Sequence, residues 1–159
     1  MAPALKGPEL SSAGLAFIAR FEGFRENLYN DPLGHCTIGY GHLVHRGRCN
    51  GTEPAEFRNG ISEVQARKLL KQDAARFEES VSQAVTVPLL QHQFDALVSF
   101  TYNVGAGGLG RSTLLKRLNR NERDAVPSEL MKWTNGGLQG LVRRRKAEGR
   151  IWTHKDYAG

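Results

Sequence analysis

Apolar residues recur at helical spacing over two stretches of the chain, and between them the pattern breaks into turns. Leu15, Ile18 and Phe21 fall three apart. They follow Ser11 and Ser12, either of which can cap a helix N-terminus, and precede Gly23, a natural stop. Glu22 lies four residues after Ile18 and so shares its face at the last helical turn. Residues 27–60 change character. Asn30-Asp31-Pro32, Gly34, Gly47, Asn50-Gly51 and Asn59-Gly60 mark turns, and Cys36-Thr37-Ile38-Gly39-Tyr40 between them reads as a short strand. The pattern predicts a small β-hairpin or three-stranded sheet, with residues 44–60 as polar loop.

Helical periodicity resumes at Ser62, where Ser62-Glu63-Val64-Gln65 has the form of a capping box. Leu70, Ala74, Phe77 and Val81 continue one apolar face. After Pro88, a second face runs through Leu90, Phe94, Leu97, Val98 and Thr101 and is expected to end at Gly105. The Gly107-Gly108-Leu109-Gly110 run reads as a flexible turn. Leu114, Leu115 and Leu118 mark a short helix. Pro127 opens another through Leu130, Met131 and Trp133, which Gly136-Gly137 ends, and a last helix spans Leu141 to Trp152. The fold class is therefore α+β, in one domain over residues 1–159. Residues 1–10 form a loose arm, about 27–60 a β lobe, and 11–26 with 61–159 a helical lobe.

Composition narrows the function classes. With 40% hydrophobic and 24% charged residues, the chain is an ordinary globular sequence. No apolar run approaches the roughly 18 residues of a membrane span, and Met1 to Pro8 contains no apolar signal core, so the expectation is a product made in the cytoplasm. The net charge of +6 favours a polyanionic partner: nucleic acid, anionic lipid or anionic wall polymer. Zinc spacing and RNP-like segments are missing from the sequence, which argues against a nucleic-acid reader. Cys36 and Cys49 fit neither a CxxC redox pair nor a zinc set and are expected to be two free thiols. A metal site assembled from His35, His45 and these cysteines is disfavoured, and no cofactor is called for.

The candidate chemistry lies in two carboxylates with different surroundings. Glycoside hydrolysis needs one carboxyl that holds a proton and another that is ionised. Glu22 closes an apolar helix, where partial burial would favour its protonated form. Asp31 lies in a polar turn beside Asn30 and Pro32, where it should remain ionised. Thr37 can hydrogen-bond a water molecule or Asp31, and strand alternation puts Thr37, Gly39 and Gly41 on one face, leaving room for a sugar ring. The ordinary reading of each residue alone is a solvated helix end and a turn aspartate.

The surrounding residues resemble the phage-type lysozymes, the muramidase family of endolysins. The likeness begins at Phe21-Glu22-Gly23, with Tyr29 and Asp31 in register, and continues through Thr37-Ile38-Gly39-Tyr40-Gly41-His42. It resumes at Gln93-Phe94-Asp95-Ala96-Leu97-Val98-Ser99-Phe100, Asn103-Val104-Gly105, Ser112-Thr113-Leu114-Leu115, Trp133, and Gly140 to Arg145 with Glu148 and Trp152. The resemblance implies a lysozyme-like fold, with a small sheet lobe and a larger helical lobe flanking a cleft. It implies Glu22 as proton donor, Asp31 as base or nucleophile, and Thr37 as the residue that places water. It further implies Leu43, Tyr102, Thr113 and Arg143 as substrate-binding residues, with Arg143 approaching Glu22. Arg144 and Arg145 then form either a solvated basic face or contacts to lactyl and stem-peptide carboxylates. His42 is expected to be structural, as a buried polar partner.

The implied activity is hydrolysis of the β-1,4 bond between N-acetylmuramic acid and N-acetylglucosamine in peptidoglycan, causing host lysis. The enzyme would act as a monomer, without cofactor or metal, reaching the wall through a separate hole-forming membrane protein. The alternatives are a lytic transglycosylase, against which Asp31 and Thr37 argue, and a non-catalytic wall-binding protein. Residues 45–59 are longer and more basic than in the most compact members, and the N-terminal arm lacks the weak membrane anchor of some relatives. A membrane-disrupting action of the basic C-terminal helix is a further, secondary expectation.

Overall fold

A computed structural model describes residues 8–159. The chain divides into two compact units, one over Ile18–Asp73 and one formed by Ala74–Gly159 with the residues up to Phe17. The expected α+β content is present: among the described residues there are seven α-helices, a 3-10 turn and one three-stranded antiparallel sheet. No helix among them is long and apolar enough to cross a membrane.

Local chemistry sets the first helix, α1 (Ser12–Glu22). Ser11 is its cap, with its hydroxyl accepting from the Gly14 amide at 3.0 Å. Gly23, at φ 77°, ends it in a left-handed conformation that other residues adopt at a cost. The capping box before α3 (Glu63–Ala84) forms as expected, by Ser62 N–H to Gln65 Oε1 and Gln65 N–H to Ser62 Oγ.

In the Ile18–Asp73 unit the sheet order is β1 (Arg25–Asn30), β2 (Cys36–Gly39), β3 (His42–His45). Tyr29 stands opposite Thr37, and Thr37 opposite Leu43. All of β2 is buried, and Ile38, Phe57, Ile61, Ala66 and Leu70 form the core beneath it. Gly39 has φ 69°, and a Cβ there would stand 3.1 Å from the Ala66 methyl, so both the backbone and the packing require glycine. Residues 44–60 are more ordered than a polar loop. They contain the end of β3 and the short helix α2 (Ala55–Arg58), which anchors Phe57 in the core.

The two cysteines are not free thiols. Cys36 and Cys49 form a disulfide, with Cα atoms 4.7 Å apart. The antiparallel turn-back from β2 to β3 brings this about. The Cys36 amide donates to Gly47 O at 2.8 Å and the Cys49 amide to Asn30 Oδ1 at 2.8 Å, so the loop after β3 lies against the start of β2. Cys36, Cys49 and Glu53 have their ligand-type atoms within 4.8 Å of one another, but both sulfurs are spent in the bridge. Closing a loop of 13 residues contributes about 3 kcal/mol through the unfolded chain. Replacing both cysteines by serine is expected to lower the thermal midpoint by roughly 6–12 °C. Scanning calorimetry of the variant beside the dithiothreitol-treated native chain checks this, and the two should agree.

The same loop carries an ion pair. His45 donates from Nδ1 to Arg46 O at 2.8 Å and from Nε2 to Glu53 at 2.6 Å. Glu53 also accepts from the Asn50 and Gly51 amides. The bond from Arg46 O, followed by that to Glu53, raises the His45 pKa above 6.5. The His45 bond, followed by the Asn50 amide, holds Glu53 down to about 2 from 4.5. The histidine's contribution is full below pH 6.5 and is lost as pH rises through its raised value. The glutamate's is full above pH 4.5 and is lost as pH falls toward 2. The difference in thermal midpoint between the native chain and a His45→Gln variant is therefore expected to peak between pH 4.5 and 6.5 and shrink on both sides. A flat difference across pH 3–8 would contradict the pairing.

The helical unit is built on α4 (Gln91–Arg111), with α5 (Thr113–Asn119), α6 (Val126–Leu130) and α7 (Gln139–His154). α7 packs on both α4 and α6. Gly105, at φ 86° and ψ 160°, leaves the helical region, so the first segment of α4 stops there as expected and a second helical segment continues to Arg111. The glycine run that reads as a flexible turn is helical, because Gly108 is needed for close packing: a Cβ there would lie 2.9 Å from Val104 Cγ2 and 3.5 Å from the Trp133 ring.

Arg144 and Arg145 are buried, at 4% and 0% exposure, and so form neither a solvated face nor a ligand surface. Both pair with the buried Glu148, which also accepts from Ser99 Oγ at 2.6 Å. Arg145 further donates to Asn103 and to Trp133 O, and its guanidinium lies 5.0 Å from the Phe100 ring centre. Arg144 Nη2 donates to Ser99 O.

A second buried carboxylate, Asp95, gathers the start and end of the described chain. It accepts from the Ser11 amide and hydroxyl, from Gln91 Nε2 and from the Tyr157 hydroxyl. Burial and the Asp95 bond push the Tyr157 phenol up to about 12. Of the expected loose arm, residues 1–7 lie outside the described residues. The part that follows is held: Leu10 N–H donates to Glu78 and Gln91 Nε2 to Glu9 O.

Candidate active site

The Ile18–Asp73 unit contains Glu22, Asp31, Thr37 and Leu43, four of the seven residues singled out from sequence. Each is placed by a different local device. Glu22 ends α1, and the Gly23 stop fixes where its side chain leaves the helix. Its Oε1 lies 3.5 Å from where a Cβ on Gly41 would stand, so Gly41 (φ 79°) keeps the carboxylate accessible from the β2–β3 turn. Asp31 closes the β1–β2 connection. Its amide donates to His35 O, and its Oδ1 accepts from the Leu33 and His35 amides at 2.9 and 2.8 Å. Two amides on Oδ1 leave Oδ2 as the oxygen available to a water molecule.

Thr37 is 3% exposed, and its hydroxyl donates to His35 O at 2.9 Å. The His35 peptide thus connects the two side chains, its N–H on Asp31 and its C=O on Thr37. With that proton committed, Thr37 Oγ1 can act toward a further group only as an acceptor. Leu43, the cross-strand neighbour of Thr37, is 48% exposed, which removes core packing as its role. His42 bonds Asp73 through Nδ1 at 2.9 Å and packs its ring on Phe57, but it is half-buried and not the buried partner expected.

Tyr29 brings the two carboxylates into one field. It is half-buried, pairs with Thr37 across the sheet, and carries the Arg25 guanidinium 4.6 Å over its ring. Burial is the main cause raising the phenol above its ordinary range. Arg25 opposes this, and the charges of Asp31 and Glu22 both add to it. Sequence reasoning noted Tyr29 only as part of a motif. The signal that could have found it is its position two residues before Asp31, on the strand face shared with Thr37.

The remaining three residues belong to the helical unit. Tyr102 is on α4, with its ring edge-on to Phe77 at 5.2 Å. Thr113 opens α5 and lines a hollow of about 350 Å³ with Arg111, Trp133 and Lys132. Arg143 is exposed in the second turn of α7.

Residues 19–148 match the family model described as phage lysozyme. The chain belongs to the phage lysozyme family. Among curated relatives, it is 40% identical over 144 residues to the endolysin of Bacillus phage B103, covering 87% of this chain and 52% of that protein. The chain thus spans about half the length of that relative. It is 36% identical over 146 residues to the endolysin of Acyrthosiphon pisum secondary endosymbiont phage 1, covering 87% of this chain and 94% of that one. Among solved structures, the endolysin from Escherichia coli O157:H7 phage FAHEc1 aligns with a TM-score of 0.81 at 31% identity, over 100% of both chains. The family match includes every carboxylate and hydroxyl of the sheet unit described above.

Proposed function

We propose that this member of the phage lysozyme family hydrolyses the β-1,4 bond between N-acetylmuramic acid and N-acetylglucosamine in peptidoglycan. What supports the reading is that one compact unit holds Glu22, at the end of α1 beside Gly41, together with Asp31 and Thr37, which the His35 backbone joins. Glu22 gives its proton to the leaving glycosidic oxygen. A water molecule donates one hydrogen to Asp31 Oδ2 and the other to Thr37 Oγ1, which directs its lone pair at the anomeric carbon. The new C–O bond forms as the glycosidic bond breaks, Asp31 takes the water proton, and the product inverts. Leu43 offers an apolar surface to the sugar beside Thr37, with Tyr102, Thr113 and Arg143 as further binding positions. No cofactor or metal takes part.

Tyr29 stands opposite Thr37 in the field of both carboxylates, with the Arg25 guanidinium over its ring. Tyr29→Phe is expected to lower kcat about 10-fold on soluble glycan fragments, with KM nearly unchanged and the thermal midpoint kept. An unaltered kcat would remove Tyr29 from the site.

On this reading the protein is a monomeric endolysin that acts on the wall after synthesis in the host cytoplasm, through an opening made by a separate membrane protein, and so lyses the host. Mass spectrometry and proton NMR of digested peptidoglycan test the reaction. Reducing N-acetylmuramic ends, released first as the α-anomer, are expected. A β-anomer makes Asp31 a nucleophile in a retaining reaction. Anhydro-muramic ends indicate a lytic transglycosylase, and retention on peptidoglycan without release of ends indicates a binding protein.

A further inference from the structure

Two cations and a histidine line one face of α7 without a counter-charge. Lys146, Arg150 and His154 recur every fourth residue, and none of them makes an ion pair among the described residues. They rim an open hollow of about 330 Å³ whose floor is Pro127, Met131 and Gly149, and no carboxylate lines it. Gly149 opens the hollow. A Cβ there would touch Pro127 at 3.7 Å, so any longer side chain would project into the space. The neighbouring Arg144 and Arg145 are buried and share Glu148, so they add no exposed charge beside this face.

We propose that this hollow is a binding site for a linear phosphate-bearing polymer of the cell envelope. Lys146 and Arg150 are spaced along the helix by about 6 Å, a step suited to a chain bearing one negative charge per backbone repeat. Lysine and arginine both favour phosphate oxygens through charge-assisted hydrogen bonds. The uncharged links of such a polymer would lie over Pro127 and Met131. The C-terminal end of a helix is its negative pole, so attraction comes from the side chains and not from the backbone. A bilayer is a poorer occupant, because the apolar residues of α7, Ala147, Ile151 and Trp152, are buried and cannot insert.

The test is binding of poly(glycerol phosphate) to the full chain, followed calorimetrically across salt concentrations. The native chain is expected to show log K falling with log salt at a slope of at least about −1.4, the share of two fixed cations. Lys146→Gln with Arg150→Gln should lower affinity at least 10-fold and remove that share. Gly149→Leu, which fills the hollow and leaves every charge in place, should also weaken binding several-fold. The matched pair Arg46→Gln with Arg48→Gln, exposed on the disulfide loop, should have little effect. Equal losses from both charge pairs would mean diffuse attraction and overturn the site. So would unaltered binding by Gly149→Leu, equal binding of polyaspartate, or a preference for anionic vesicles. Hydrolysis of soluble glycan fragments should be the same in the α7 variants, which separates this result from the fate of the proposed activity.

Discussion

Glu22→Gln is expected to reduce glycan hydrolysis by roughly 10²–10⁴-fold, the usual contribution of a positioned acid. The substitution keeps the shape at the end of α1 and the approach to Gly41, and removes only the transferable proton. Glycan binding should survive, so KM should change far less than kcat. Asp31→Asn is expected to cost a comparable factor. It keeps an acceptor for the Leu33 and His35 amides at Oδ1 but places an amide nitrogen where the attacking water needs a base. The two losses should not multiply in the double variant, because acid and base serve one step. Turbidity loss of permeabilised cells and release of reducing ends both measure the rate. Lysis at full speed by Glu22→Gln would falsify the assignment of residue 22, and full loss with unfolding would transfer its role to stability.

Glu148→Ala is expected to destabilise the helical unit by about 3–5 kcal/mol. Two guanidinium groups share this one buried carboxylate, with Arg144 Nε at 3.3 Å and Arg145 Nη1 in direct contact. The second positive charge is distributed over Ser99 O, Trp133 O, Asn103 and the face of Phe100. Removing the glutamate leaves two buried cations with only dipoles around them and unpairs the Ser99 hydroxyl as well. Desolvation already lowers the Arg145 pKa, against the pull of Glu148. Urea unfolding should show the loss as a shift in midpoint with little change in slope. Glu148→Gln, which preserves volume and the Ser99 bond, should lose less than Ala but more than 1 kcal/mol. A loss below that in both variants would mean that packing of α7 on α4 holds the unit without the charges.

The contrast between these two sites explains what the sequence made legible. Features set within a few residues could be read: the Ser11 cap, the Gly23 stop, the Ser62–Gln65 box and the turn at Asp31. Glu22, Asp31 and Thr37 could be read because their motif lies in one stretch, and they do share one unit. Features that depend on distant partners could not. Whether Arg144 and Arg145 face water depends on Ser99 and Asn103, more than 40 residues away. Whether Cys36 meets Cys49 depends on the β2–β3 register and on Gly47 turning back. The glycines after 105 look like a hinge until Val104 and Trp133 are seen to crowd Gly108. The place of Tyr29 is invisible to periodicity, because it rests on which strand face Thr37 shares.

The shared grip of Asp95 has a practical corollary. Because Ser11 and Tyr157 meet on the same carboxylate, two segments near the start and end of the described chain lie side by side. A circularly permuted version, joined from 157 to 9 by a few glycines and reopened at the Asn135-Gly136-Gly137 turn, should keep the contacts of Asp95 together with those of Glu9 and Leu10. The same adjacency would allow the whole unit to be spliced as a cassette into a surface loop of another protein.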